Sequence, residues 1–71
     1  MGPWLETKEM NKSDVKIGVR VVYARGAKGP LIGHKGIIDS EMDPDEWGIV
    51  MVKFDDGNIS PCYYVNLDIV T

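Results

Sequence analysis

Gly48-Ile49-Val50-Met51-Val52-Lys53-Phe54, running straight into Asp55-Asp56-Gly57-Asn58, is the stretch on which the fold turns. Its first seven positions are rich in the β-branched and apolar residues that suit a pleated, half-buried surface. With Lys53 in solvent, Val50, Val52 and Phe54 fall on the inward side, while Ile49 and Met51 leave the outer side partly apolar too. A strand apolar on both sides belongs in the middle of a sheet. Asp56-Gly57 then predicts a tight hairpin, because glycine accepts positive φ freely and Asp tolerates it.

Upstream, the run from Glu41 to Gly48 reads as a polar turn built on Pro44 and its acidic neighbours. Before it, Gly29-Pro30-Leu31-Ile32-Gly33-His34-Lys35-Gly36-Ile37-Ile38 packs glycine and proline too densely for a helix. It reads as a shaped loop opening into a strand from Gly36 to about Ser40. Earlier still, Ile17, Val19, Val21 and Tyr23 alternate with Gly18, Arg20, Val22 and Ala24, which predicts a strand with its odd-numbered side inward. Downstream of the hairpin, a short strand from Asn58 to Ser60 should stop at Pro61. Tyr63 to Asn66 then makes a helical turn or corner, and Leu67 to Val70 a last strand.

Residues 1–14 show neither β alternation nor a clean helical stripe, and are expected to be a short flexible or helical arm. Within it, Trp4 either covers one end of the core or anchors a partner. The sum is an all-β chain: a small five-stranded barrel over residues 15–71, preceded by the arm.

Seventy-one residues make a single domain, and a chain of that size buries only about 60% of its unfolded surface. No apolar run approaches the roughly 20 residues that cross a bilayer, and no basic segment followed by an apolar stretch supports a secretory signal. Cys62 is the only cysteine, so an internal disulfide and a cysteine-based zinc site are excluded. A soluble, cytoplasmic protein is the expectation, and Cys62 is read as a small semi-buried hydrophobe. The net charge is −3 and unevenly spread: residues 12–36 carry six basic side chains against one acidic, residues 37–71 one against eight. A chain this asymmetric could present one basic and one acidic face for partners, or two oppositely charged solvated surfaces that merely keep the domain soluble.

The chemistry-bearing residues do not assemble an enzyme. His34 is the only histidine, and general-base catalysis would need a nucleophile and an orienting group within reach of it. Asp43, Asp45 and Glu46, like Asp55 and Asp56, lack the spacing of a calcium loop and suit turns. Gly29, Gly33 and Gly36 are not followed by Lys-Ser/Thr, so no phosphate loop is formed. No cofactor, metal or small-molecule substrate is expected. Two binding sets remain. Arg20, Arg25, Lys28, His34 and Lys35 suit phosphate contacts or an acidic protein surface. Trp47, Tyr63 and Tyr64, with Asp55 and Asp56, suit a groove for a peptide or a cation.

The segment VKIGVRVVYARGAKGPLIGHKGIIDSEMDPDEWGIVMVKFDDG resembles a KOW motif within an SH3-like barrel, as in the C-terminal domains of NusG-type transcription elongation factors and some ribosomal proteins. Gly18-Val19-Arg20-Val21 stands at the family's GxxV opening, and Gly29-Pro30, Gly33, Gly36 and Ile38 at its loop and second strand. Phe54-Asp55-Asp56-Gly57 matches its acidic-glycine hairpin, and Leu67 to Val70 is similar to its closing strand. The resemblance covers residues 15–71. It implies a stand-alone binding module that docks on RNA, DNA or a protein of the transcription or translation machinery. The alternative is an adaptor using the aromatic and acidic groove, as Tudor-type relatives cage methylated cations. Compact barrels of this kind also occur in phage genomes.

Overall fold

The inward side chains of Val21, Tyr23, Ile38, Val50, Val52, Phe54, Cys62 and Leu67 share one core, joined by Met10 from the arm and by Val15 just after it. Around it, the computed structural model, which describes residues 7–43 and 46–70, places six strands in one antiparallel sheet. They are β1 (Thr7–Glu9), β2 (Arg20–Tyr23), β3 (Lys35–Asp43), β4 (Ile49–Phe54), β5 (Ile59–Tyr63) and β6 (Leu67–Val70). The order across the sheet is β1-β6-β2-β3-β4-β5, so β2 to β5 form a meander and β6 returns beside β2. Among the described residues, strands β1 and β5 are its two edges and do not pair, so the sheet is open. Among the described residues no helix is long and apolar enough to cross a membrane.

Strand β4 has the predicted alternation, with Val50, Val52 and Phe54 buried and Lys53 exposed, and it is flanked on both sides. The hairpin that follows is a three-residue loop. Phe54 N–H donates to the Asn58 carbonyl at 2.8 Å, and Gly57 takes φ +95°, the left-handed position that such a loop assigns to glycine. Asp56 accepts from the Asn58 backbone N–H at 2.9 Å and stiffens the turn. Strand β3 is bent by register shifts between Ile38 and Ser40 and between Ser40 and Asp43. Its Gly36 is required by crowding: a Cβ there would sit 2.5 Å from the Lys53 carbonyl oxygen.

Several expectations are corrected. The described part of the arm is strand β1, paired with β6 from Thr7↔Val70 to Glu9↔Asp68, followed by a 3-10 turn at Lys12–Asp14. All three β1 side chains are exposed, so the backbone ladder holds this strand and no alternation betrays it; the neighbouring Met10, at 4% exposure, pins it to the core. Trp4 lies outside the described residues. Ile17 is 66% exposed rather than inward, because Gly18 turns the chain at φ +94° and the strand begins only at Arg20. The segment Gly29–Leu31, read as non-helical, forms a single 3-10 turn with Pro30 at its start, where a fixed φ and a missing N–H are no handicap. Strand β3 extends past Ser40 to Asp43.

Pro61 does not stop its strand; β5 continues to Tyr63. The bonds Phe54 N–H to Asn58 O and Tyr64 N–H to Gly48 O bracket the β4–β5 ladder. Alternation between them makes Met51↔Pro61 a non-hydrogen-bonded pair, so the missing N–H faces away from β4. Because β5 is the sheet edge, that proline breaks no bond. The corner then forms as predicted, a 3-10 turn at Tyr64–Asn66 leading into β6.

Candidate functional site

Residues 24–34, between β2 and β3, reach the edge strand β5 and the 3-10 turn before β6. Tyr23 N–H donates to His34 O and Gly33 N–H to Tyr23 O, each at 2.9 Å, closing the base of the loop. Ala24 and Arg25 N–H both donate to Asn66 O, at 2.9 and 3.2 Å. Further along, Lys28 N–H donates to the Tyr23 hydroxyl at 3.3 Å, and the Lys28 ammonium to Pro61 O on β5 at 2.9 Å. Gly26, at φ +129°, lies so close to Tyr23 and Asn66 that a Cβ would come within 2.6 Å of both side chains.

Between this loop and β5 lies a cleft of about 290 Å³, lined by Tyr23, Ala27, Lys28, Ile49, Pro61, Cys62, Tyr63 and Asn66. Its walls are aromatic and aliphatic, and Lys28 and Asn66 are the polar side chains that converge on it. Tyr63, 53% exposed, forms its outer wall, with Ile49 opposite in register on β4. Cys62 is buried, and its thiol is pushed above the ordinary range by desolvation, against a smaller opposing pull from the Lys28 charge.

The two sets proposed from the sequence are each divided by the fold. Within the basic set, Arg20 forms a two-pronged bond to Asp55, at 2.7 and 2.8 Å. Arg25 reaches Val65 O at 2.7 Å and Asp68 at 2.6 Å, and Lys28 is held on Pro61. His34 is exposed and, among the described residues, makes no side-chain hydrogen bond; Lys35 lies near the Arg20–Asp55 pair. These cations do not form one free patch. Arg20 and Lys35 stand at the β4–β5 hairpin, Arg25 and Lys28 over the β6 and β5 side.

Within the aromatic set, Tyr63 enters the cleft. Tyr64 is partly buried against the core and lines a separate, more polar hollow with Met10, Arg25 and Val65. Trp47 is 64% exposed, next to Gly48, whose carbonyl accepts from Tyr64 N–H. Asp55 and Asp56 lie at the far end of β4 and β5 from Tyr63, by the register Ile49↔Tyr63 to Lys53↔Ile59. They share no groove with the tyrosines. Tyr23, Ala27, Ile49, Pro61 and Asn66 went unassigned in the sequence, because no local pattern joins a loop to an edge strand about 30 residues away.

The hydrogen bond from Arg20, with a smaller coulombic contribution from Arg20 and Lys35, holds the Asp55 carboxyl below its ordinary range; the Arg20 guanidinium is correspondingly raised. A carboxyl lowered in the folded state favours folding at neutral pH, and that contribution is lost as pH falls through the folded-state value. Both side chains are exposed, so the stability effect is small. The titration itself is the readable quantity. By carboxyl-carbon NMR, Asp55 should titrate below the usual aspartate range and return to it in Arg20→Met; an unchanged midpoint would remove the ion pair from the solution structure.

Compared with protein-family models, with curated proteins and with solved structures, the chain matches none.

Proposed function

We propose that the protein is a non-catalytic protein-binding module whose contact surface is the cleft between residues 24–34 and β5. The composition of that cleft carries the reading: apolar walls, two convergent polar side chains, and a frame bonded to β2, β5 and the 3-10 turn before β6. Its volume lies near the lower bound of about 300 Å³ for small-molecule sites, which suits one or two side chains of an extended segment. The β2–β5 meander, the 3-10 turn at Tyr64–Asn66 and the return of β6 beside β2 support an SH3-like arrangement. On the KOW resemblance, the partner is a component of the transcription or translation machinery.

Nucleic-acid contact through the basic set ranks second, since Arg20 and Arg25 are each engaged by a carboxylate of the chain and the set is split between two regions of the surface. The two readings separate by mutation. With an eight-residue peptide selected against the protein from a random pool, Tyr63→Ala should weaken binding by about ten-fold or more, as loss of an interface aromatic does. His34→Glu combined with Lys35→Glu should leave binding unchanged. The opposite pattern would reject the cleft.

A further inference from the structure

We infer that the segment taken by this cleft is acidic: an extended stretch of a partner protein in which apolar side chains alternate with carboxylates, one carboxylate meeting Lys28. The inference rests on the proposed role of the cleft and deepens it. In a chain of net charge −3, no Asp or Glu among the described residues lines the cleft, and Lys28 is the one charged side chain among those that do. The nearby carboxylate of Asp68 is taken by Arg25, and that of Asp55, at the far hairpin, by Arg20. Among the described residues, the cleft lining therefore carries the positive charge of Lys28 and no carboxylate.

Lys28 is also held in place. Its ammonium has three N–H donors and gives one to Pro61 O, which fixes the charge at the rim and leaves donors for a ligand. Holding the side chain before binding reduces the ordering entropy that a free lysine would lose. The Lys28 charge is felt at Cys62 on the cleft floor. Ile59, Pro61 and Tyr63 share the side of β5 that faces away from the core, at the two-residue spacing of an extended ligand's alternate side chains.

The test uses three pools of eight-residue peptides, identical in their apolar positions and carrying Glu, Gln or Lys at the others. Binding is read from amide shifts of Ala27, Lys28, Cys62 and Tyr63. The Glu pool should bind about three- to five-fold tighter than the Gln pool at low salt, the scale of a partly exposed ion pair. High salt should remove that advantage. Lys28→Gln should abolish the preference, so that the Glu and Gln pools bind the variant alike. Equal binding of the Glu and Gln pools, or preference for the Lys pool, overturns the acidic ligand and leaves the cleft reading standing. Loss of all binding in Lys28→Gln would make Lys28 a loop anchor and also overturn the inference. If no pool moves the cleft amides, both this inference and the proposed function fail.

Discussion

Gly36→Val is expected to abolish the cooperative thermal transition. The Cβ of any residue at this position would lie 2.5 Å from the Lys53 carbonyl oxygen and 2.9 Å from the Phe54 Cα, and both are backbone. They cannot step aside, because Gly36 pairs with Phe54 and the Phe54 side chain is buried. Overpacking in general costs about 1–3 kcal/mol, and more where the surroundings are rigid. Valine adds two further methyls and forces β3 from β4, breaking the ladder that links the two halves of the sheet. For a chain of this size total stability is only about 4–10 kcal/mol. Gly36→Ala should fold with a clearly lowered Tm. A Gly36→Val protein that melts like wild type in circular dichroism would contradict the β3–β4 register.

Tyr23→Ala should be the most damaging truncation for stability and binding together. Tyr23 is 2% exposed, belongs to the core and lines the cleft, and its hydroxyl accepts from Lys28 N–H. Removing a buried aromatic ring costs about 3–5 kcal/mol, which lowers the Tm of a domain this small by roughly 15–30 °C. Tyr23→Phe isolates the hydroxyl: it should cost about 1 kcal/mol and leave the core intact. It should also speed hydrogen exchange at the Lys28 amide, since that loop loses a tie. If Tyr23→Phe were as damaging as Tyr23→Ala, the ring would not be the main contribution.

What could be read beforehand follows from the range of the forces involved. Alternation in Val50, Val52 and Phe54, the Asp56-Gly57 hairpin and the Leu67–Val70 strand are local signals, and all three are present in the fold. Strand β1 is held by a backbone ladder with its side chains in solvent, so its residues carry no pattern. Pro61 misleads for a related reason: whether a proline ends a strand depends on which side has a neighbour, and that is a property of the sheet. The site was legible only in part. Lys28 and Tyr63 were singled out as chemically useful residues, but in different sets. The bond from Lys28 to Pro61 brings them together, and the Arg20–Asp55 pair takes one residue out of each set.

The central claim is that the cleft, rather than the scattered cations, is where a partner docks. It is tested most directly by amide-shift mapping against two ligands in parallel: the selected peptide, and mixed single- and double-stranded oligonucleotides, at low and then physiological salt. The account predicts peptide-induced shifts at Ala27, Lys28, Ile49, Cys62, Tyr63 and Asn66 that persist at physiological salt. Any oligonucleotide shifts should fade as the salt rises. Salt-resistant oligonucleotide shifts at Arg20, Arg25, His34 and Lys35, with no response of the cleft to peptide, would contradict it.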